Sequence, residues 1–135
     1  MDTRVFHLFD LVAWFEDVLD DRVNYRGEWF TLFATQQRFI EVHVTANDIW
    51  VGAVTNYNLN LDERITPADE LVLGVLGWDL EGLGGPAPKW VRSFDAATPT
   101  AVIAAAVLRA FTLVYLPDAV TEIAVGREMF VDYER

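Results

Sequence analysis

The chain has no cysteine, one lysine (Lys89), one serine (Ser93) and two histidines (His7 and His43) in 135 residues. Without cysteine there is no disulfide framework, no thiol nucleophile and no thiolate metal ligand. Ser93 stands in Arg92-Ser93-Phe94 without flanking glycines, so no nucleophile elbow exists and serine-hydrolase chemistry is removed. Positive charge is scarce as well: ten Lys and Arg stand against 21 Asp and Glu, a formal net charge of −11. Such a chain repels phosphate backbones and anionic membrane surfaces, and its arginines are scattered, so neither nucleic acid nor membrane is expected as a partner. Solubility is the plain reading of that acidity, and a basic partner is the sharper one.

Long apolar runs are also missing. The opening MDTRVFHLFDLVAWFEDVLDD is interrupted by Asp10, Glu16 and Asp17, and no basic segment precedes a clean apolar core. That pattern predicts neither a signal peptide nor a membrane span, and the expectation is a cytoplasmic protein. The Gly/Pro-rich LEGLGGPAP, inside 79–88, lacks the lysine and hydroxyl of a phosphate-binding loop and reads as a mobile connection. No composition break or internal repeat divides the chain, so a single domain over 1–135 is expected.

What is present is a core-forming sequence, 53% hydrophobic and 23% charged. From Val5 to about Asp21 the apolar residues Val5, Leu8, Leu11, Val12, Phe15, Val18 and Leu19 share one arc of a helical wheel, which predicts an amphipathic helix. Phe6, Phe9 and Trp14 lie among acids on or near its opposite arc, where an aromatic needs either a tertiary cover or a partner. Trp29–Thr35, Phe39–Thr45 and Ile49–Val54 read as three short strands, and their short connections require antiparallel neighbours. In the second, Ile40, Val42 and Val44 face the core while Phe39, Glu41, His43 and Thr45 face the other way.

A helix is expected after Thr66 as N-cap, with Pro67 at its first position, Asp69 and Glu70 in its first turn, and Gly77 as its stop before an anchoring Trp78. Lys89 to Asp95 reads as a strand with Trp90, Arg92 and Phe94 on one side. A last helix to Tyr115 is expected with Thr98 as N-cap and Pro99 at N1. It is apolar almost all round, so the first helix or a second subunit must cover what the sheet does not, and its lone charge, Arg109, would need a partner if buried. The tail offers weak strand signals at Val120–Val125 and Met129–Tyr133. The order is α-β-β-β-α-β-(β)-α, an α+β fold with an antiparallel sheet and helices packed on one face.

The succession Val54-Thr55-Asn56, Leu59, Arg64-Ile65-Thr66, a short acidic helix and Leu76-Gly77-Trp78 resembles the YbjN-like domains grouped with type III secretion chaperones (TY-Chap), and Lys89-Trp90-Val91-Arg92, Val107-Leu108-Arg109 and Val114-Tyr115 continue the likeness. The resemblance implies a secretion-chaperone-like fold and a non-enzymatic, peptide-binding homodimer. It implies no catalytic residue and no cofactor.

Read by itself, the chemistry is thin. His7 and Asp10 at helical spacing lack the further ligands of a metal site. Glu41 and His43 share a strand face and could form an acid/base pair, but two polar residues on a wet face are commoner than a dyad. The aromatics Trp29, Phe39, Trp50, Trp90 and Phe94 all come from expected strands. Left uncovered they would form a platform for an extended client segment, and otherwise they are core. The leading expectation is a dimeric chaperone or adaptor that binds a client protein or peptide segment, with Phe6, Phe9, Trp14 and the strand aromatics as candidate contacts. The alternatives are a regulatory scaffold with one dedicated partner, or a small-ligand protein or enzyme using Glu41 and His43.

Overall fold

A computed structural model describes residues 2–45, 47–116 and 122–129, without the side chains of 2–4, 9, 22, 23 and 127–129. Its strands are β1 (Asp2–His7), β2 (Glu28–Phe33), β3 (Phe39–Val44), β4 (Asp48–Val54), β5 (Asp79–Glu81), β6 (Lys89–Asp95) and β7 (Glu122–Met129). They form one sheet in the order β1-β7-β2-β3-β4-β6-β5, and every neighbouring pair is antiparallel. The helices are α1 (Leu11–Leu19), the single turn α2 (Arg22–Tyr25), α3 (Pro67–Val75) and α4 (Thr100–Ala110), the last continued by a π-helical turn over Phe111–Tyr115. The fold is α+β. No described helix is long and apolar enough to cross a membrane.

One face of the sheet makes the core. Phe30, Leu32, Ile40, Val42, Ile49, Val51 and Ala53 are almost fully buried there beneath Phe15 and Leu19 of α1, Leu73 of α3 and Ile103 and Val107 of α4. Trp14 meets Phe30 edge-on with ring centroids 5.0 Å apart, which fixes α1 against β2. The all-round apolar character of α4 is thus met inside the subunit by the sheet and by α1, leaving only Val102 and Leu113 as its exposed large apolar residues.

The middle of the chain follows its local signals. Thr66 Oγ1 accepts from the Asp69 amide at 3.1 Å, with Pro67 opening α3. Gly77 takes φ +97°, and the Trp78 amide returns to the Leu73 carbonyl at 2.9 Å, so Trp78 drops into the core at 2% exposure. Gly77→Ala is expected to cost about 1 kcal/mol, read as a lower urea midpoint at unchanged m-value. A full-stability variant would show the left-handed turn to be dispensable. Asn56 closes the connection between β4 and α3: its amide side chain donates to the Ile65 carbonyl at 2.7 Å and accepts from the Ile65 amide at 2.9 Å. Glu70 accepts the Asn56 amide at 2.8 Å. The Tyr115 hydroxyl, fully buried, donates to the Val54 carbonyl. Burial, then the nearby Glu70 charge, pushes its pKa far above the ordinary tyrosine range, so this bond keeps its proton.

Three expectations are corrected, and the weak strand signal at Val120–Val125 is met by a strand with shifted bounds. The first element is a strand followed by a shorter helix, and the helix begins at Leu11 instead of Val5. Residues 2–7 pair with β7 along their length, and a tertiary ladder outweighs an apolar arc that needed only Val5 from this segment. The loop after Trp78 contains β5, hydrogen-bonded to β6. The tail supplies β7, which lies between β1 and β2; Gly126 and the charges at Glu122, Arg127 and Glu128 diluted its strand signal. Residues 130–133 of the second tail segment lie outside the described residues. Finally, α4 starts at Thr100 with Pro99 as its N-cap residue, and Thr98 Oγ1 donates to Asp95 Oδ1 at 3.2 Å in the preceding turn.

Candidate functional site

Strand alternation puts a second set of side chains on the sheet face away from the helices. Cross-strand register aligns Trp29 with His43 and His43 with Trp50, so these three form a row across β2, β3 and β4. The Trp29 and His43 rings stack at 5.4 Å and 14°, and the two indoles meet edge-on at 6.4 Å. Beside this row Thr31 pairs with Glu41, and Glu41 with Gly52. Phe33 and Phe39 pair at one end, with ring centroids 5.8 Å apart. Trp29, Phe33, Phe39, His43 and Trp50 are half-buried, whereas their neighbours on the inner face are almost fully buried.

Gly52 makes this arrangement possible. A Cβ at that position would lie 2.4 Å from the Trp50 ring, so the indole occupies the space that a side chain would need. Beneath the indoles runs an ion pair. Lys89 Nζ donates to Glu41 Oε1 at 2.6 Å and sits 5.8 Å and 5.7 Å from the Trp29 and Trp50 ring centroids, a cation held between two π faces. Glu41 is 5% exposed, and its Oε2 is buried with no hydrogen-bond partner among the described residues.

The eight expected contact residues therefore separate. Trp29 and Trp50 share the outer face, whereas Phe39, on the same side by alternation, is half-buried and packed against the core. Trp90 and Phe94, together with Arg92, point inward; Trp90, Phe94 and Trp14 are core residues at 6–8% exposure. Phe6 is half-buried against the core, and the Phe9 side chain lies outside the described residues. The strand-face partition of Trp90 and Phe94 was legible from alternation; that of Trp29 was not, because bulky residues occupy both faces of β2. Lys89 was missed as a site residue. Its signal was its being the single lysine, on a strand whose register sets it near Glu41.

Glu41 and His43 do share a face, but the Glu41 carboxylate is engaged by Lys89 and the His43 ring by Trp29. Two cavities lie elsewhere. One, between α4 and β6, is taken up below; the other is an open cleft lined by Leu19, Asp20, Asp21 and Thr98–Thr100, where Thr100 Oγ1 donates to Asp20 Oδ1 at 2.6 Å. No group of three or more His, Asp or Glu among the described residues is placed to hold a metal ion.

Fold and site together define an α+β protein with its helices on one side of an antiparallel sheet and an aromatic, largely helix-free face on the other. Comparison with protein-family models, curated proteins and solved structures finds no match.

Proposed function

We propose that the chain is a non-enzymatic binding protein that holds an extended segment of a client protein on its outer sheet face. The observation that carries this reading is the row Trp29-His43-Trp50, half-buried and outside the core cluster that the helices cover. Stacked, rigid rings on a β platform supply large contact area at small entropic cost, which suits apolar side chains of a strand-like peptide. A net charge of −11 favours a client with basic residues flanking the apolar ones. The resemblance to secretion-chaperone-like domains supports the same reading, and with it a homodimer acting in the cytoplasm.

The test uses synthetic peptides with alternating apolar side chains between arginine flanks. Micromolar binding is expected, with protection of β2–β4 amides from exchange. The double variant Trp29→Ala, Trp50→Ala should lose at least tenfold in affinity while keeping its circular dichroism, since buried aromatic contacts of this kind are worth about 2 kcal/mol or more. Peptide binding that is absent, or indifferent to both tryptophans, would sink the proposal. Sedimentation equilibrium tests the dimer separately. Capture of one dedicated partner in place of many segments would favour a regulatory scaffold.

A further inference from the structure

On the helical side of the sheet a cavity of about 320 Å³ is lined by Leu76 at the end of α3, Arg92 of β6, and Ala101, Val102, Ala105 and Arg109 of α4. Its size falls at the lower end of small-molecule sites, about 300–1,000 Å³. The alanines leave the space open where larger side chains would close it. Two of the chain's ten cationic residues converge there, in a protein of net charge −11, and no carboxylate lines the cavity.

The two guanidinium groups are differently held. Arg92 projects from the inner sheet face, donates one N–H to the Leu76 carbonyl at 3.1 Å and lies 4.9 Å over the Phe94 ring. It is thereby oriented with donors to spare, since a guanidinium carries five N–H groups. Arg109 is exposed at the rim, and its guanidinium makes no hydrogen bond or ion pair with any described residue. By contrast, Arg38 and Arg64 spend their donors on backbone carbonyls of the loop before α3.

We infer that this cavity is a binding site for a small organic monocarboxylate with an apolar body. The carboxylate would take paired N–H bonds from Arg92 and Arg109, whose fork geometry matches it, while the apolar part lies against Leu76, Val102 and the alanines. A single negative charge is favoured over a phosphate dianion because the acidic surroundings oppose each added charge. The site is separate from the aromatic face, on the opposite side of the sheet.

Titration calorimetry of the intact chain with octanoate, and with octanol as the neutral control of equal apolar length, tests the inference. Saturable octanoate binding is expected, at least tenfold tighter than octanol and weakened by salt. Arg109→Ala, at an exposed position, should reduce it at least tenfold. Ala105→Leu should abolish it by filling the cavity without changing charge, with circular dichroism as the check on folding; if that variant unfolds, Arg109→Ala decides. Absence of saturable octanoate binding at millimolar concentration, equal binding of octanol, or parental affinity in Arg109→Ala overturns the inference.

Discussion

Replacing Lys89 with methionine is expected to cost about 3 kcal/mol of folding stability, within the range for removing one partner of a buried ion pair. The size follows from what remains. Glu41 is 5% exposed, one of its oxygens already lacks a partner among the described residues, and Lys89 supplies the bond to the other at 2.6 Å. Methionine keeps most of the apolar stem between the indoles and removes the charge, so the loss isolates the electrostatic part. The Lys89 side chain is 25% exposed, which places the estimate at the lower end of the buried-pair range. Adding Glu41→Leu should recover most of the loss, because an apolar pair of similar volume leaves no charge to desolvate. Urea denaturation of the four members of this cycle measures the coupling. A single-variant loss below about 0.5 kcal/mol would mean that water reaches the pair and screens it as on an open surface. Tryptophan fluorescence should also change in Lys89→Met, since the ammonium lies against both Trp29 and Trp50.

Arg38→Ala is expected to destabilise by a similar amount, about 3 kcal/mol, from the loss of several charge-assisted hydrogen bonds. Arg38 sits in the connection between β2 and β3, and its side chain is 13% exposed. Its Nε donates to the Glu63 carbonyl at 2.7 Å, one terminal nitrogen to the Tyr115 carbonyl at 3.2 Å and the other to the Arg64 carbonyl at 3.2 Å. One planar head thus joins a strand connection, the loop leading to α3 and the end of the π turn after α4. The Glu63 carboxylate, 3.7 Å away, adds attraction. Lysine cannot reproduce three divergent donors, so Arg38→Lys should recover less than half of the loss. Thermal unfolding gives the magnitude, and hydrogen exchange over 59–65 gives the location. Unchanged exchange in that loop would show that Asn56 and Leu59 hold it without Arg38.

The aromatic row and the arginine-lined cavity fall on opposite sides of the sheet in a way that strand periodicity dictates. Along β6, Trp90, Arg92 and Phe94 must share one face and Lys89, Val91 and Ser93 the other. The first set serves the core and the arginine-lined cavity. The second places Lys89 under the aromatic row. A one-residue slip of β6 against β4 would exchange them and lose both features.

The chain by itself determined the elements whose signals are local: the cap, first-turn proline and glycine stop of α3, the strands β3, β4 and β6, and the placing of Trp90, Arg92 and Phe94 on one common side. These depend on residues within a few positions of one another, so no distant partner had to be known. It also excluded thiol and serine-elbow chemistry by composition. Tertiary structure alone decided that residues 2–7 are a strand, that β7 is inserted between β1 and β2, and that Trp14, Trp90 and Phe94 are covered while Trp29 and Trp50 remain half-buried. The physical reason is that β pairing and cavities are made between segments far apart in sequence. Asp2–His7 becomes extended only because Glu122–Met129 offers it a ladder, and Arg92 and Arg109 face a common space only because α4 returns across the sheet.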